Sequence, residues 1–349
     1  MALRKNLPNG KPHILEVQPE AAITGGELYI RGERLVAQPG NDRADRPHVT
    51  IGSVDAPVVI GSSALVVVRV PEGASAGELV VANGAQESAA WSCDIGLQIA
   101  ENLHPVTSPA VDAQGNIYTT FSGPRGQKVP IAVYKIDLNF RMTPFVNDMM
   151  NATAIAVGRD GFIYISSRFD GIVYQVSPTG NMSVFVEGMG VATGLAFDEE
   201  NNLYVGDRSG TIFKISPTRQ IFVFATVEAS ISAYHLAWGP DQHLYVSGPT
   251  TSSFDSIYRI ASNGDVETFY RGLGRPQGMA FDIDGNLYSA ASYMGHKGIV
   301  RIKPDRTIDH VVSGPGIVGL AFSPSRAMII ATTSSIFRVD AGIRGAQLT

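Results

Sequence analysis

Three histidines are the side chains of this sequence best suited to metal or acid–base chemistry. His104, His235 and His296 can each ligate zinc or move a proton near neutral pH, but each lies in a different stretch of chain, without the close spacing that marks a zinc site. His235, beside Tyr234, is the one candidate for a catalytic base. Around these stand cations and aromatics: Arg168, Arg208 next to Asp207, Arg275, Tyr293 and Lys297. Arg and Lys pair with carboxylate or phosphate, and aromatic faces stack on sugars, so the set suits an anionic or hydroxyl-rich small molecule. No phosphate-cradling Gly loop ending in Lys-Ser/Thr and no Gly-x-Ser-x-Gly elbow occurs, which leaves nucleophilic catalysis without a bearer. The single cysteine, Cys93, has no basic neighbour to favour a thiolate and reads as an inert small apolar residue.

A repeat must position these groups. An apolar strand ending in Ala-x-Asp or a relative is followed by a tight turn and a Leu/Ile-Tyr strand, as in Gly115-Asn116-Ile117-Tyr118 and Gly285-Asn286-Leu287-Tyr288. The equivalent positions are Tyr118, Tyr164, Tyr204, Tyr245, Tyr288 and Ile330, with spacings from 40 (Tyr164 to Tyr204) to 46 (Tyr118 to Tyr164). A period of roughly 40–50 residues with several short strands per unit predicts propeller blades, here six. Inner strands are expected near 109–112, 154–157, 194–197, 235–238, 278–281 and 319–322. The last unit stops after Ile336-Phe-Arg-Val339, before an outermost strand can form, while Leu97–Leu103 matches the outermost strands Val184–Met189 and Thr268–Leu273. Strand 97–100 is therefore expected to complete the sixth blade and close the ring, which removes an exposed sheet edge.

In such a ring, strand starts and the loops between second and third strands share one face. That mouth collects Phe121, Arg125, Lys128, Arg168, Asp207, Arg208, Ser253, Asp255, Tyr293, His296 and Lys297, and the connections add His104, Tyr234, His235 and Arg275. Asp112, Asp198 and Asp282 end inner strands and are expected to satisfy turn amides, whereas Asp160, Asp241 and Asp284 fall in hairpin turns on the opposite face. Third-strand cations recur at Lys135, Lys214, Arg259, Arg301 and Arg338, and are expected to pack their stems between blades.

Composition narrows the class. The chain has 349 residues, 44% apolar and 17% charged, with 37 Gly and 20 Pro, which fits an ordered protein of about two domains with many turns. A formal charge of −5 and no long basic run argue against nucleic acid as a partner. No signal-peptide core follows Met1, and no segment reaches the roughly 20 apolar residues of a membrane helix. The expectation is a cytoplasmic protein without a membrane partner, consistent with one unpaired cysteine.

Residues 12–92 read as a small β-sandwich after an N-terminal extension, 1–11. Short alternating strands at 14–17, 27–30, 48–51, 64–70 and 77–81 sit between Gly, Pro and Asn turns. Pro12-x-Ile14-x-x-Val17-x-Pro19, Gly25-Gly26-x-Leu28-x-Ile30-x-Gly32, Ile51-Gly52, Val70-Pro71 and Asn83-Gly84 resemble an IPT/TIG immunoglobulin-like domain. The resemblance implies a spacer, a dimerisation surface or a binding module, so self-association through this domain is an expectation.

Residues 93–345 carry a second resemblance. Arg275-Pro-Gln-Gly-Met-Ala-Phe-Asp282 with Gly285-Asn-Leu-Tyr288, and Thr193-Gly-Leu-Ala-Phe-Asp198 with Asn202-Leu-Tyr-Val-Gly-Asp207, resemble NHL repeats and the regucalcin/gluconolactonase family of six-bladed propellers. That family's lactonases hold a divalent ion with an early Glu and with Asn or Asp just before the Gly of inner strands. Here the corresponding positions are Thr107, Thr153, Thr193, Tyr234, Gln277 and Val318, and no Glu-Gly-Pro precedes the first blade. A hard cation needs several oxygen ligands including carboxylates, so no lactonase-type metal and no cofactor are expected.

The expected fold is all-β: an immunoglobulin-like sandwich plus a six-bladed propeller closed by strand 97–100. The expected function is binding of a small polar or anionic ligand, or a protein segment, at the propeller mouth through Thr153, Arg168, Thr193, Asp207, Arg208, Tyr234, His235, Arg275, Gln277, Tyr293 and His296. The alternative is a lactonase- or esterase-class hydrolase with replaced metal ligands, using His235 as base and Arg208 or Arg275 to stabilise an oxyanion.

Overall fold

Alternation decides which face of each early strand is inside. In Glu27–Glu33, Leu28, Ile30 and Gly32 point inward while Arg31 and Glu33 face solvent, the period-two pattern of a strand with one covered face. The computed structural model describes residues 10–36, 47–124, 126–252 and 254–346, and among them every regular element is a strand. Two compact units result, one from the described residues up to Leu97 with His310–Pro315, the other from Gln98–Asp309 with Gly316 onward.

In the first unit, His13–Gln18, Glu27–Glu33, Leu65–Arg69 and Val58–Gly61 form one sheet in that order. Ala21–Ala22, Trp91–Ile95, Gly77–Asn83, His48–Ile51 and Val54–Asp55 run in order through the second. Their inward faces share a core of Leu28, Ile30, Val49, Ile51, Val66, Val68, Leu79, Val81 and Cys93. Each large side chain so buried contributes about 1.5–3 kcal/mol. Burial, then the charge of Asp94, pushes the Cys93 thiol up to about 12, so it stays protonated and unreactive.

In the second unit repeats one to four each fold as a four-stranded antiparallel sheet with the strands in chain order, and Met279–Phe281, Leu287–Tyr293 and His296–Ile302 of repeat five pair in the same antiparallel order. The inner strands are Ala110–Val111, Ala152–Val157, Ala192–Phe197, His235–Trp238, Met279–Phe281 and Ile317–Phe322, within two residues of the positions the repeat predicts. In the sixth sheet Leu97–Ala100 lies beside Ile336–Val339. The hairpins joining first and second strands lie at one end of the unit, and the strand starts and second-to-third loops at the other.

The repeated tyrosine has a structural partner at the hairpin end. Tyr118, Tyr204 and Tyr288 donate to Asp112, Asp198 and Asp282, at 3.1, 3.1 and 3.2 Å. In repeats two and four the acid sits two residues later, within the hairpin turn: Tyr164 donates to Asp160 at 2.7 Å and Tyr245 to Asp241 at 2.9 Å. Each carboxylate also caps its turn; Asp198 accepts from the Glu200 and Asn202 main-chain N–H groups and the Asn202 side chain. The turn-amide role expected for Asp112, Asp198 and Asp282 is thus joined to a buried hydroxyl. The third-strand cations do not simply pack their stems between repeats. In register Lys135, Lys214, Arg259 and Arg301 lie opposite Tyr118, Tyr204, Tyr245 and Tyr288, and Arg338 lies opposite Ile329, which takes the tyrosine position of repeat six in place of the Ile330 that the spacing suggests. The Lys135 and Lys214 ammonium groups stand 5.5 and 5.6 Å from the ring centres of Tyr118 and Tyr204.

Adjacent repeats meet through the same rings. Tyr164 packs edge-on against Phe197 and Tyr245 against Phe281, at 4.8 and 4.7 Å between centroids, and Tyr204 stacks on Trp238 at 5.4 Å. Such pairs add about 0.5–1.5 kcal/mol each beyond area burial. The tyrosine period in the sequence is therefore the period of repeat-to-repeat packing.

Candidate functional site

At the strand-start end, the positions that hold metal ligands in the resembling family have become a belt of main-chain hydrogen bonds. Thr107, Thr153, Thr193, Tyr234 and Val318 are all buried, Thr153 and Thr193 completely. The Thr107 hydroxyl donates to the Thr153 carbonyl at 2.7 Å, and the Ser166 hydroxyl donates to the Thr193 carbonyl at 2.6 Å. Thr193 Oγ1 donates to the Gly206 carbonyl at 2.9 Å and accepts from the Tyr234 N–H at 3.1 Å. The Ser247 hydroxyl donates to the Gln277 carbonyl at 3.0 Å. The bonds spanning two repeats satisfy main-chain groups at neighbouring strand starts: the carbonyls of Thr153, Thr193 and Gln277 and the N–H of Tyr234. These hydroxyls are committed donors, without a carboxylate among them, so the divalent ion implied by the resemblance does not fit these residues.

The predicted site residues separate into three corners. At repeat two, Thr153 donates to the Asn151 carbonyl at 2.9 Å, and the Arg168 N–H reaches the same carbonyl. Asn151, which sequence reasoning passed over, is wholly buried and pins the loop of repeat one through Gly123, Pro124 and Gly126. At repeat five, Gly274 pairs with Ser292 and the Gln277 N–H donates to Ala290, which brings Arg275 and Gln277 beside the hairpin where Tyr293 faces His296. Arg125 and Ser253 lie outside the described residues.

The richest corner joins repeats three and four: Thr193, Asp207, Arg208 and Tyr234. Asp207 is buried and accepts from the Val191 N–H at 2.7 Å and from the Ser209 hydroxyl, so it caps the turn and forms no ion pair with Arg208. Tyr234 is buried with its hydroxyl on the Glu228 carbonyl. Arg208 donates from Nη2 to the Ile231 carbonyl at 2.9 Å, while its own carbonyl accepts from the Ser230 N–H. Its Nε is buried without a protein acceptor. His235 is buried as well, and desolvation holds its imidazole down to about 3, so it is neutral at physiological pH and shielded from solvent. A base must touch its proton donor, and this burial withdraws the chemistry that the sequence suggests for His235.

At this end Asp207 and Asp255 are turned inward, while Asp170 and Glu228 are exposed beside the outward cations. Asp255 is buried, taking the Thr250 N–H and hydroxyl on Oδ1, whereas Arg275, Lys128 and Lys297 are exposed. His104 is exposed, with Nδ1 against the Ser122 carbonyl and its ring edge-on to Phe121. Among the described residues no group of three or more His, Cys, Asp and Glu side chains is arranged to hold a metal ion, and no helix is long and apolar enough to cross a membrane.

Comparison with known proteins agrees with this geometry. Residues 12–92 match the family model of the IPT/TIG domain. No curated protein matches the chain by sequence. Among solved structures, a gluconolactonase from Xanthomonas campestris is similar at 13% identity and a TM-score of 0.59, over 87% of this chain and 99% of that one. An auxiliary nutrient binding protein from Bacteroides ovatus is similar at 12% identity and a TM-score of 0.54, over 95% of this chain and 98% of its own. Virginiamycin B lyase from Staphylococcus aureus matches at 13% identity and a TM-score of 0.50, over 69% and 97%. The all-β, propeller-like fold is common to them.

Proposed function

We propose that this chain is a two-domain binding protein: a sandwich over 12–92 joined to a six-bladed propeller over 93–345, closed into a ring by strand Leu97–Ala100. The propeller recognises a small polar or anionic ligand at its strand-start end and works without a lactonase-type metal. Arg208 carries this reading. One arm of its guanidinium is fixed on the Ile231 carbonyl, and Nε is withdrawn from water with no acceptor of its own. Nη1 has no acceptor among the described residues, and on this half-buried side chain it is the donor that a carboxylate or hydroxyl brought by a ligand can reach. The outward Arg275 and Lys297 add the same sign of charge. The Bacteroides ovatus nutrient binding protein of similar fold supports binding as a use of this architecture. The sandwich serves as spacer or self-association surface, and the buried, protonated Cys93 suits a cytoplasmic setting.

Calorimetric titration of the full chain with sugar acids, small dicarboxylates and neutral sugars tests this. One class is expected to bind, with Arg208→Gln weakening it about tenfold or more, the equivalent of one charge-assisted hydrogen bond, at an unchanged unfolding midpoint. Binding indifferent to Arg208→Gln defeats the assignment.

A further inference from the structure

The hairpin end holds a cavity of about 560 Å³ that the reading above does not use. Every inner strand gives it one alanine at the same repeat position: Ala110, Ala156, Ala196, Ala237, Ala280 and Ala321. Six methyl groups around one space leave a narrow apolar channel, because any longer side chain at that place would fill it. The channel narrows toward the strand starts. A Cβ on Gly278 would come within 2.5 Å of Gly319 Cα and meet Ser108 Oγ as well, so repeats five, six and one touch there. The volume is that of a small-molecule site, in the range of about 300–1,000 Å³.

Charged groups are confined to the rim, and the Ser108 hydroxyl lies at the narrow end. Three charged side chains reach the lining, Asp112, Arg159 and Asp160. Each acid already accepts three hydrogen bonds. Asp112 takes the Asn116 N–H and Nδ2 and the Tyr118 hydroxyl; Asp160 takes the Phe162 N–H, the Tyr164 hydroxyl and Gln175 Nε2. Arg159 is exposed, and its guanidinium has neither an ion pair nor a hydrogen bond among the described residues. The two acids keep their charge but aim their oxygens at fixed donors, and Arg159 is the charged side chain of the lining whose donors are unengaged among the described residues.

We infer that this cavity is a second binding site, for a small amphiphile with one anionic head: the apolar body lies in the alanine channel and the head meets Arg159. Apolar burial drives entry, and the guanidinium sets which end stays outside. The site is independent of Arg208, which lies at the opposite end.

The test uses the full chain and two probes below their micellar or solubility limits, decanesulfonate and 1-decanol. Ala156 and Ala321 are only half-buried, so Phe at either place extends into the channel. Saturable one-site binding of decanesulfonate is expected, with Ala156→Phe and Ala321→Phe each lowering affinity at least about tenfold. Arg159→Gln is expected to weaken decanesulfonate about tenfold and leave 1-decanol unchanged, and Arg208→Gln to change neither. Should one Phe variant fail to fold, the other and Arg159→Gln decide. No saturable binding, wild-type affinity in a folded Phe variant, or equal loss of both probes in Arg159→Gln overturns the assignment.

Discussion

Replacing Asp198 by Ala should destabilise the second unit several times more than replacing Tyr204 by Phe, although the two side chains share one hydrogen bond. Asp198 is 3% exposed and accepts four hydrogen bonds: from the N–H groups of Asn202 and Glu200 at 2.8 and 3.0 Å, Asn202 Nδ2 at 2.7 Å and the Tyr204 hydroxyl at 3.1 Å. Glu200 is exposed, so its N–H can turn to water; Asn202 and Tyr204 are buried and cannot. Asp198→Ala therefore strands the Asn202 N–H and the Tyr204 hydroxyl, and leaves Asn202 Nδ2 only its 3.3 Å bond to Glu200. At about 1–3 kcal/mol for each stranded donor, and with partial relaxation, the loss should reach roughly 3–5 kcal/mol. Tyr204→Phe keeps the ring and its packing on Phe224 and Trp238, and leaves the carboxylate three other donors, so about 1 kcal/mol is expected. The two tryptophans make the measurement clean. Trp91 belongs to the first unit and Trp238 to the second, stacked on Tyr204, so in a Trp91→Phe background urea unfolding followed by emission reports the second unit alone. With a slope of roughly 3 kcal/mol per molar urea for a unit of this size, Asp198→Ala should lower the midpoint by about 1 M or more, and Tyr204→Phe by about 0.3 M. Equal shifts for the two variants would show that the carboxylate does not organise the turn, and would refute the reasoning.

Two further outcomes follow from the same geometry. The buried His235 is held at about 3, against about 6.5 in an unfolded chain, so its native state resists protonation; its contribution is intact above about pH 6.5 and is lost as pH falls toward 3, at up to about 1.4 kcal/mol per pH unit. His235→Gln should flatten the fall of stability between about pH 4 and pH 6, and coincident slopes for the two proteins would sink the assignment. Gly278→Ala should cost more than about 2 kcal/mol in the same urea assay, because the added methyl meets the Gly319 and Val318 main chain as well as the Ser108 hydroxyl, so rotating that hydroxyl away does not relieve it, and a variant as stable as wild type would show that repeats five and six can part there.

Much of this arrangement can be read from the chain before any coordinates, and the limits are physical. The tyrosine period and the Gly-Asn-Leu-Tyr turns locate the inner strands within two residues because those turns recur with their carboxylate caps. Val58–Gly61 escapes the same reading, since its side chains are largely exposed and carry no alternation of burial. The role of Asp160 and Asp241 is also hidden, because they reach the tyrosine from within the hairpin turn, two residues later than Asp112, Asp198 and Asp282. Counting register would have exposed the tyrosine–cation pairs, which are cross-strand neighbours within one repeat. The mouth is the larger miss. Thr153, Thr193 and Tyr234 look available when one repeat is considered alone, and become buried only when the next repeat closes over them.

That burial explains why residue type alone points poorly to function in this fold. Polar side chains are recruited to satisfy main-chain groups at the strand starts across the repeat boundary. At the other end the turns recruit Asp, Asn and Tyr in the same way. A hydroxyl or carboxylate in the repeat is therefore more informative about stability than about ligands. The side chains that repeat architecture does not consume are those off the repeat positions or with capacity to spare. Arg208, with one donor engaged and one buried donor idle, and Arg159, with none engaged, stand out by this criterion at opposite ends of the second unit. If both sites are real, their ligands share a negative charge but differ in body: polar where hydroxyls and main chain surround the cation, apolar where six alanines do.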